Sequence, residues 1–203
     1  MFGQLLSFKF MQKIYFITSN EYKFQIAVEA FKNSDFKLVQ KVLDTPEIQS
    51  ENLGEIASYS IKWAAAKLKH PVFLSDAGCF IESLKGFPGP FIKYINQYLT
   101  APDFLKLLAG KKNRKVVFKD CLAYCEPGKD PVLFFSRGEG TIATKRGKRG
   151  STAINEIFIP KGFDKPESEI PRDQMIKFWN KNVKNFKALE KYLKNKNCPD
   201  NDR

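Results

Sequence analysis

Apolar and polar positions along this chain follow two rhythms, and each change of rhythm marks an element. Residues 13–18, KIYFIT, form a short apolar run of β-formers bounded by polar residues, which predicts a buried strand. Helical spacing follows at once in Phe24, Ala27, Val28 and Phe31, with Ser19 or Asn20 where an N-cap belongs. FKLVQKV at 36–42 restores the strand pattern, so the chain opens as a βαβ unit. A second helix is expected over 53–69, where Ile56, Tyr59, Trp63 and Ala66 make an apolar stripe and Glu55 and Lys62 share a different side.

PVFLSDAG reads as a strand that ends in an acid, with CFIESL continuing extended and GFPGP at 86–90 supplying a turn. FIKYINQYL and APDFLKLLAG predict two short helices, and VVFKDCLAYC with PVLFFSRGEGTIAT predicts a long hairpin. KRGKRGS is a basic glycine loop, IFIP a short strand, and NVKNFKALEKYLK a closing helix; PRDQMIKFWNKN receives no assignment. No GxGxxG follows the first strand, so the expected fold is mixed α/β and not a doubly wound dinucleotide fold. A chain of 203 residues supports one sizeable core, placed at 11–195 between an N-terminal extension, 1–10, and a frayed tail, 196–203.

Composition then narrows the chemistry. MFGQLLSFKF has neither a basic n-region nor a long apolar stretch, which predicts neither a signal peptide nor a membrane span. The cysteines Cys79, Cys121, Cys125 and Cys198 lack the partners for a zinc set and read as free thiols in a reducing, cytoplasmic setting. His70 is the single histidine, so a Ser-His-Asp relay is unlooked for and chemistry must run on carboxylates, lysines and a metal. The net charge of +12 attracts polyanions. KKNRK at 111–115 and KRGKRG at 145–150 keep RNA binding open as an alternative, although few aromatics interleave them.

TSNEYK, closing the first strand, carries the most specific signal. A strand running into a helix N-terminus presents backbone N–H groups that bind anions. Thr18, Ser19 and Asn20 add side-chain donors there and Lys23 adds an ammonium, which together make a phosphate cradle; an ordinary Asn cap beside a solvated lysine is the plainer alternative. Glu47 and Asp76 are the candidate metal-binding carboxylates, since Mg²⁺ needs only one or two acids when substrate phosphates complete its shell. Glu47 alone also reads as a surface acid.

TSNxxK, PEIQ, EIASYSIKWAA, PVFLSDAGCFIESLKGFPGPF, NRKVVFK and IFIP, in that order, resemble the inosine triphosphate pyrophosphatase family, its archaeal branch most, from Met11 to about Leu193. The resemblance implies two α/β lobes built on an elongated mixed sheet around a deep cleft, a homodimer, and Mg²⁺-dependent hydrolysis of non-standard purine triphosphates to monophosphate and pyrophosphate. It places Thr18, Asn20 and Lys23 on the triphosphate, Glu47 and Asp76 at the metal and attacking water, and Lys62 and Lys93 on phosphate oxygens. Three segments depart from the family pattern. Ser75-Asp76-Ala77 stands where two adjacent acids and a hydroxyl residue are usual, and Ser151 to Asn155 replaces a glycine-aromatic-Asp loop. Val183-Lys184-Asn185 replaces the Ser-His-Arg that reads a purine 6-oxo group. Asn155, Lys184 and Asn185 are therefore the expected base-side residues, with altered or relaxed base choice. The alternative is a catalytically degenerate nucleotide- or RNA-binding protein.

Overall fold

The computed structural model describes residues 12–197, so the N-terminal extension, Cys198 and most of the expected tail lie outside the described residues. β1 (Gln12–Ile17), α1 (Glu21–Ala30) and β2 (Phe36–Lys41) form the opening unit, with β1 and β2 parallel from Gln12 opposite Phe36 to Ile17 opposite Lys41. α2 (Leu53–Leu68) leads into the long β3 (Val72–Ile81), and a 3-10 turn at Glu82–Leu84 precedes the two-residue β4 (Pro88–Gly89). After α3 (Ile92–Tyr98) and α4 (Ala101–Leu107) come the hairpin β5 (Lys115–Cys125) and β6 (Val132–Ile142) and the short β7 (Phe158–Pro160). The segment left unassigned from sequence is helical, α5 (Arg172–Asn182), and α6 (Asn185–Asn197) closes the chain, extending two residues into the expected tail.

One mixed sheet joins the strands in the order β2-β1-β3-β5-β6-β7, with β4 on β3. Its hydrophobic packing divides along the long strands. At the end near β1, Phe16, Phe73, Leu122 and Phe186 pack under α1 and α6 on one face, while Leu74, Cys121 and Ala123 pack under α2 on the other. At the far end Cys79, Ile81, Val116, Ile142 and Phe158 pack against Phe104 of α4. Between these ends β3 carries Ser75, Asp76 and Ala77, which none of the cores absorbs.

The face of α2 differs from expectation. Ile56, Ala57, Ser60, Ile61, Ala64 and Ala65 are buried, whereas Tyr59 is 50% exposed and Ala66 is exposed. Small side chains at Ala57, Ala64 and Ala65 let the helix approach the sheet closely, which turns the larger Tyr59 and Trp63 to its flanks. Among the described residues no helix is long and apolar enough to cross a membrane.

Candidate active site

β3 has two neighbours at its start and one in its middle. Tyr15 and Phe16 of β1 pair with Val72 and Phe73, and β4 pairs with Cys79 and Phe80, so residues 74–78 have a ladder partner only on the β5 side. β1 and β4 cannot meet, because the chain leaves β1 after Ile17 to enter α1. The approach of β4 is close enough that a Cβ at Gly78 would lie 3.0 Å from the Gly89 backbone, and Gly86 and Gly89 hold the turn at φ +93° and +62°. The result is a gap in the sheet edge, opening into a hollow of about 630 Å³.

Thr18, Ser19, Asn20, Lys23, Glu47, Asp76 and Lys93 all line this hollow. The TSN segment is organised by its own hydrogen bonds: Asn20 N–H donates to Thr18 Oγ1 (3.0 Å), and Asn20 Oδ1 accepts from the N–H groups of Tyr22 and Lys23 (2.9 and 3.1 Å). Asn20 is thus the N-cap of α1, and two backbone donors envisaged for an anion are engaged by it. Donors remain in the Asn20 amide and the hydroxyls of Thr18 and Ser19. Lys23 is not a solvated lysine. Its Nζ donates to the Ser75 carbonyl at 2.8 Å, a ladder acceptor exposed by the gap.

Alternation along β3 sets Asp76 on the face of Leu74, towards α2, and Ser75 and Ala77 on the face of α1 and α6. Asp76 accepts from the Ala77 N–H (2.9 Å). Burial pushes its carboxyl above the ordinary aspartate range; Lys23 and the Ala77 N–H pull it down, while Glu47 and Asp120 push it further up. Glu47 comes from the irregular segment before α2 and is held by Lys93 Nζ (3.1 Å) and Tyr94 Oη (3.2 Å) of α3. Asn96 of α3 brings to the same hollow a buried side-chain oxygen without a hydrogen-bond partner among the described residues.

These are hard oxygen groups of the kind Mg²⁺ takes. Two carboxylates close enough for one to raise the other's pKa, with an unpartnered amide oxygen in the same walls, fit a divalent cation. Among the described residues no three or more His, Cys, Asp or Glu side chains form a metal cluster, so a bound cation would need substrate oxygens or water to complete its shell.

Two expected residues fall elsewhere. Lys62 lies two residues beyond Ser60, about 200° around α2 from that cleft-lining position. Its ammonium pairs with Asp130 Oδ1 at 2.8 Å, and that contact raises its pKa. Lys184 is exposed and lines neither this hollow nor its neighbour. The basic runs also serve structural ends: Arg114 donates to the carbonyls of Ile142 and Ala143, and Arg146 pairs with Glu156 at 2.6 Å.

A second hollow, about 190 Å³, lies on the α1 and α6 face and shares Asn20, Lys23, Ser75 and Ala77 with the first. Its walls include Tyr22, Asp120, Asn155, Glu167, Trp179, Val183 and Phe186. Asn155 therefore faces a cavity, and its Nδ2 donates to Glu167 Oε2 (2.8 Å). Asn185 is buried, its Nδ2 donating to Asp120, so it does not present a donor to the cavity. Asp120 also accepts from Ser75 Oγ at 2.7 Å; burial raises its carboxyl, opposed by Lys23, Ser75 and Asn185.

Sequence reasoning passed over Asp120, Glu167, Tyr22 and Asn96. Asp120 had a signal, a charge interrupting the apolar hairpin strand VVFKDCLAYC; the others had none. Cys79, Cys121 and Cys125 are buried free thiols, as expected.

The Ham1 family model matches residues 14–194. A dITP/XTP pyrophosphatase of Methanopyrus kandleri is 38% identical over 181 residues, covering 89% of this chain and 94% of that protein. A dITP/XTP pyrophosphatase of Thermococcus kodakarensis is 38% identical over 162 residues, covering 80% and 87%. Among solved structures, a HAM1 protein from Coxiella burnetii superposes with a TM-score of 0.74 at 22% identity, over 91% of this chain and all of the other, which supports the fold.

Proposed function

This chain belongs to the Ham1 family, and from that premise we propose that it is a Mg²⁺-dependent nucleoside triphosphate pyrophosphatase, releasing pyrophosphate and a monophosphate from non-standard purine triphosphates. The observation that carries the reading is the open edge of β3 at residues 74–78, where Lys23 meets an unpaired carbonyl while Asp76 and Glu47 share one hollow. Relatives named dITP/XTP pyrophosphatase, at 38% identity over most of their length, support it.

In this reading Thr18, Ser19 and Asn20 donate to phosphate oxygens, and the Lys23 and Lys93 ammonium groups neutralise charge. Glu47 and Asp76 would hold Mg²⁺, which supplies charge neutralisation to the polyphosphate and acidity to a water. Asp76, lifted by burial, orients and deprotonates the attacking water. Lys93 must release Glu47 as substrate arrives, exchanging one charged partner for another. The nucleobase enters the second hollow beside Trp179, since the two cavities share a wall. Lys62 has no part in this arrangement as it stands. The test is pyrophosphate release with Mg²⁺ across ITP, dITP, XTP and the common triphosphates. Turnover of at least one, lost on adding a chelator and in Asp76→Asn, is expected; a panel with no turnover would reject the assignment.

A further inference from the structure

Glu47 stands in the irregular stretch between β2 and α2, where no ladder or helical bond fixes its direction. Two hydroxyls from neighbouring elements do so instead. Ser60 of α2 is 3% exposed, and its Oγ donates to the Pro46 carbonyl at 2.8 Å. A helical serine ordinarily returns its proton to the carbonyl four residues back, so this one is spent on tying the Glu47 backbone to the wall of the hollow. The side chain is held from α3 at both oxygens, Oε1 by Lys93 Nζ at 3.1 Å and Oε2 by Tyr94 Oη at 3.2 Å. These two donors differ in kind. Lys93 carries a charge for which an incoming polyphosphate competes, whereas the neutral Tyr94 phenol has one proton to give and Glu47 receives it.

We propose that Tyr94 is a positioning residue for Glu47: its hydroxyl keeps Oε2 in place while Lys93 leaves Oε1 for the polyphosphate, so the freed oxygen is already aimed at a divalent cation. This rests on the pyrophosphatase reading and adds a residue to the machinery of that same site. A glutamate has several rotatable bonds, and ordering them beforehand spares the entropy that cation binding would otherwise cost. The phenol does this without bringing a second positive charge beside the cation, and its bond to a carboxylate is the strong, charge-assisted kind. Ser60 completes the arrangement from below, because a side chain is aimed only as well as the backbone that carries it. Partners of this sort, bonded to a metal-binding group and not to the metal, are worth a large share of metal affinity.

The test uses Tyr94→Phe, which removes the hydroxyl and keeps the ring, with Ser60→Ala as a second variant. Mn²⁺ binding is titrated by electron paramagnetic resonance in the presence of a non-hydrolysable ITP analogue, and the Mg²⁺ dependence of pyrophosphate release from ITP is measured beside it. Tyr94→Phe should weaken Mn²⁺ binding, and raise the half-saturating Mg²⁺ concentration, by about tenfold. At saturating Mg²⁺ its kcat should stay within about threefold of the wild type, and the analogue should bind within about twofold in chelator, since neither depends on the phenol once the cation is in place or absent. Ser60→Ala should shift the Mn²⁺ titration in the same direction. Mn²⁺ and Mg²⁺ titrations within about twofold of the wild type in Tyr94→Phe, or an equal loss of analogue binding in chelator, would overturn the inference and leave the pyrophosphatase reading intact. A wild type that binds no Mn²⁺ beside the analogue would instead remove the metal from that reading, and the role of Tyr94 with it.

Discussion

At Asp76 several influences act on one proton. Burial, Glu47 and Asp120 favour the neutral acid, and Lys23 and the Ala77 N–H favour the anion, with the neutral side prevailing. An acid whose pKa is raised on folding binds its proton more tightly in the folded chain. It favours folding below the ordinary carboxylate range near pH 4 and opposes folding increasingly as the pH climbs through its raised value. Asp76→Asn removes that opposition. In chelator, the variant should melt a few degrees above the wild type at neutral pH, with the difference closing towards pH 4. The same variant should lose at least about a hundredfold in pyrophosphate release. Thermal melts across pH and a turnover assay check the two halves, and a variant that is both active and unstable contradicts the placement of Asp76. Lys23 has the complementary role, a point charge on the exposed Ser75 carbonyl. Lys23→Met should lower kcat/KM by about a hundredfold, and Lys23→Arg should fail to restore it, because a broad planar fork does not enter a gap shaped for an ammonium.

Among the elements, the strands and most helices were readable because periodicity is a local property, whereas the gap in the sheet is a matter of pairing between distant segments. Nothing in PVFLSDAGCFI says that its middle lacks a neighbour on one side; that follows from β1 ending at Ile17 and β4 reaching only Cys79 and Phe80. TSNEYK was readable as a cap, which Asn20 forms on α1, and the same segment carries the Lys23 ammonium to the Ser75 carbonyl of β3. Lys62 was placed by resemblance alone, and the turn of α2 carries it to Asp130 instead. α5 escaped sequence reading, yet it supplies Trp179 to the second hollow, and Gly138 of β6 makes room for that indole. A Cβ at Gly138 would lie 2.5 Å from Trp179 Cζ3. Gly138→Ala should therefore displace the ring and raise KM for nucleotides about tenfold or more, while inorganic triphosphate binding stays within about twofold; equal losses for both would place Trp179 away from the base.

For the whole molecule, the excess of positive charge works at long range. Arg114 and Arg146 are engaged within the fold, but the net +12 remains to attract polyanions. Raising salt should lower kcat/KM in a shallow, screened fashion and leave kcat nearly unchanged. A steep loss of RNA affinity with salt, beside flat hydrolysis, would revive the nucleic-acid alternative.

The proposed activity turns on one hollow at the broken edge of β3, and a crystal grown with Mg²⁺ and a non-hydrolysable triphosphate analogue tests it most directly. It predicts the polyphosphate lying between Asn20 and Lys23 on one side and Glu47 and Asp76 on the other, with the cation on those two acids and the base against Trp179. A triphosphate bound elsewhere, with Lys23 still on the Ser75 carbonyl and Glu47 still on Lys93, would contradict it.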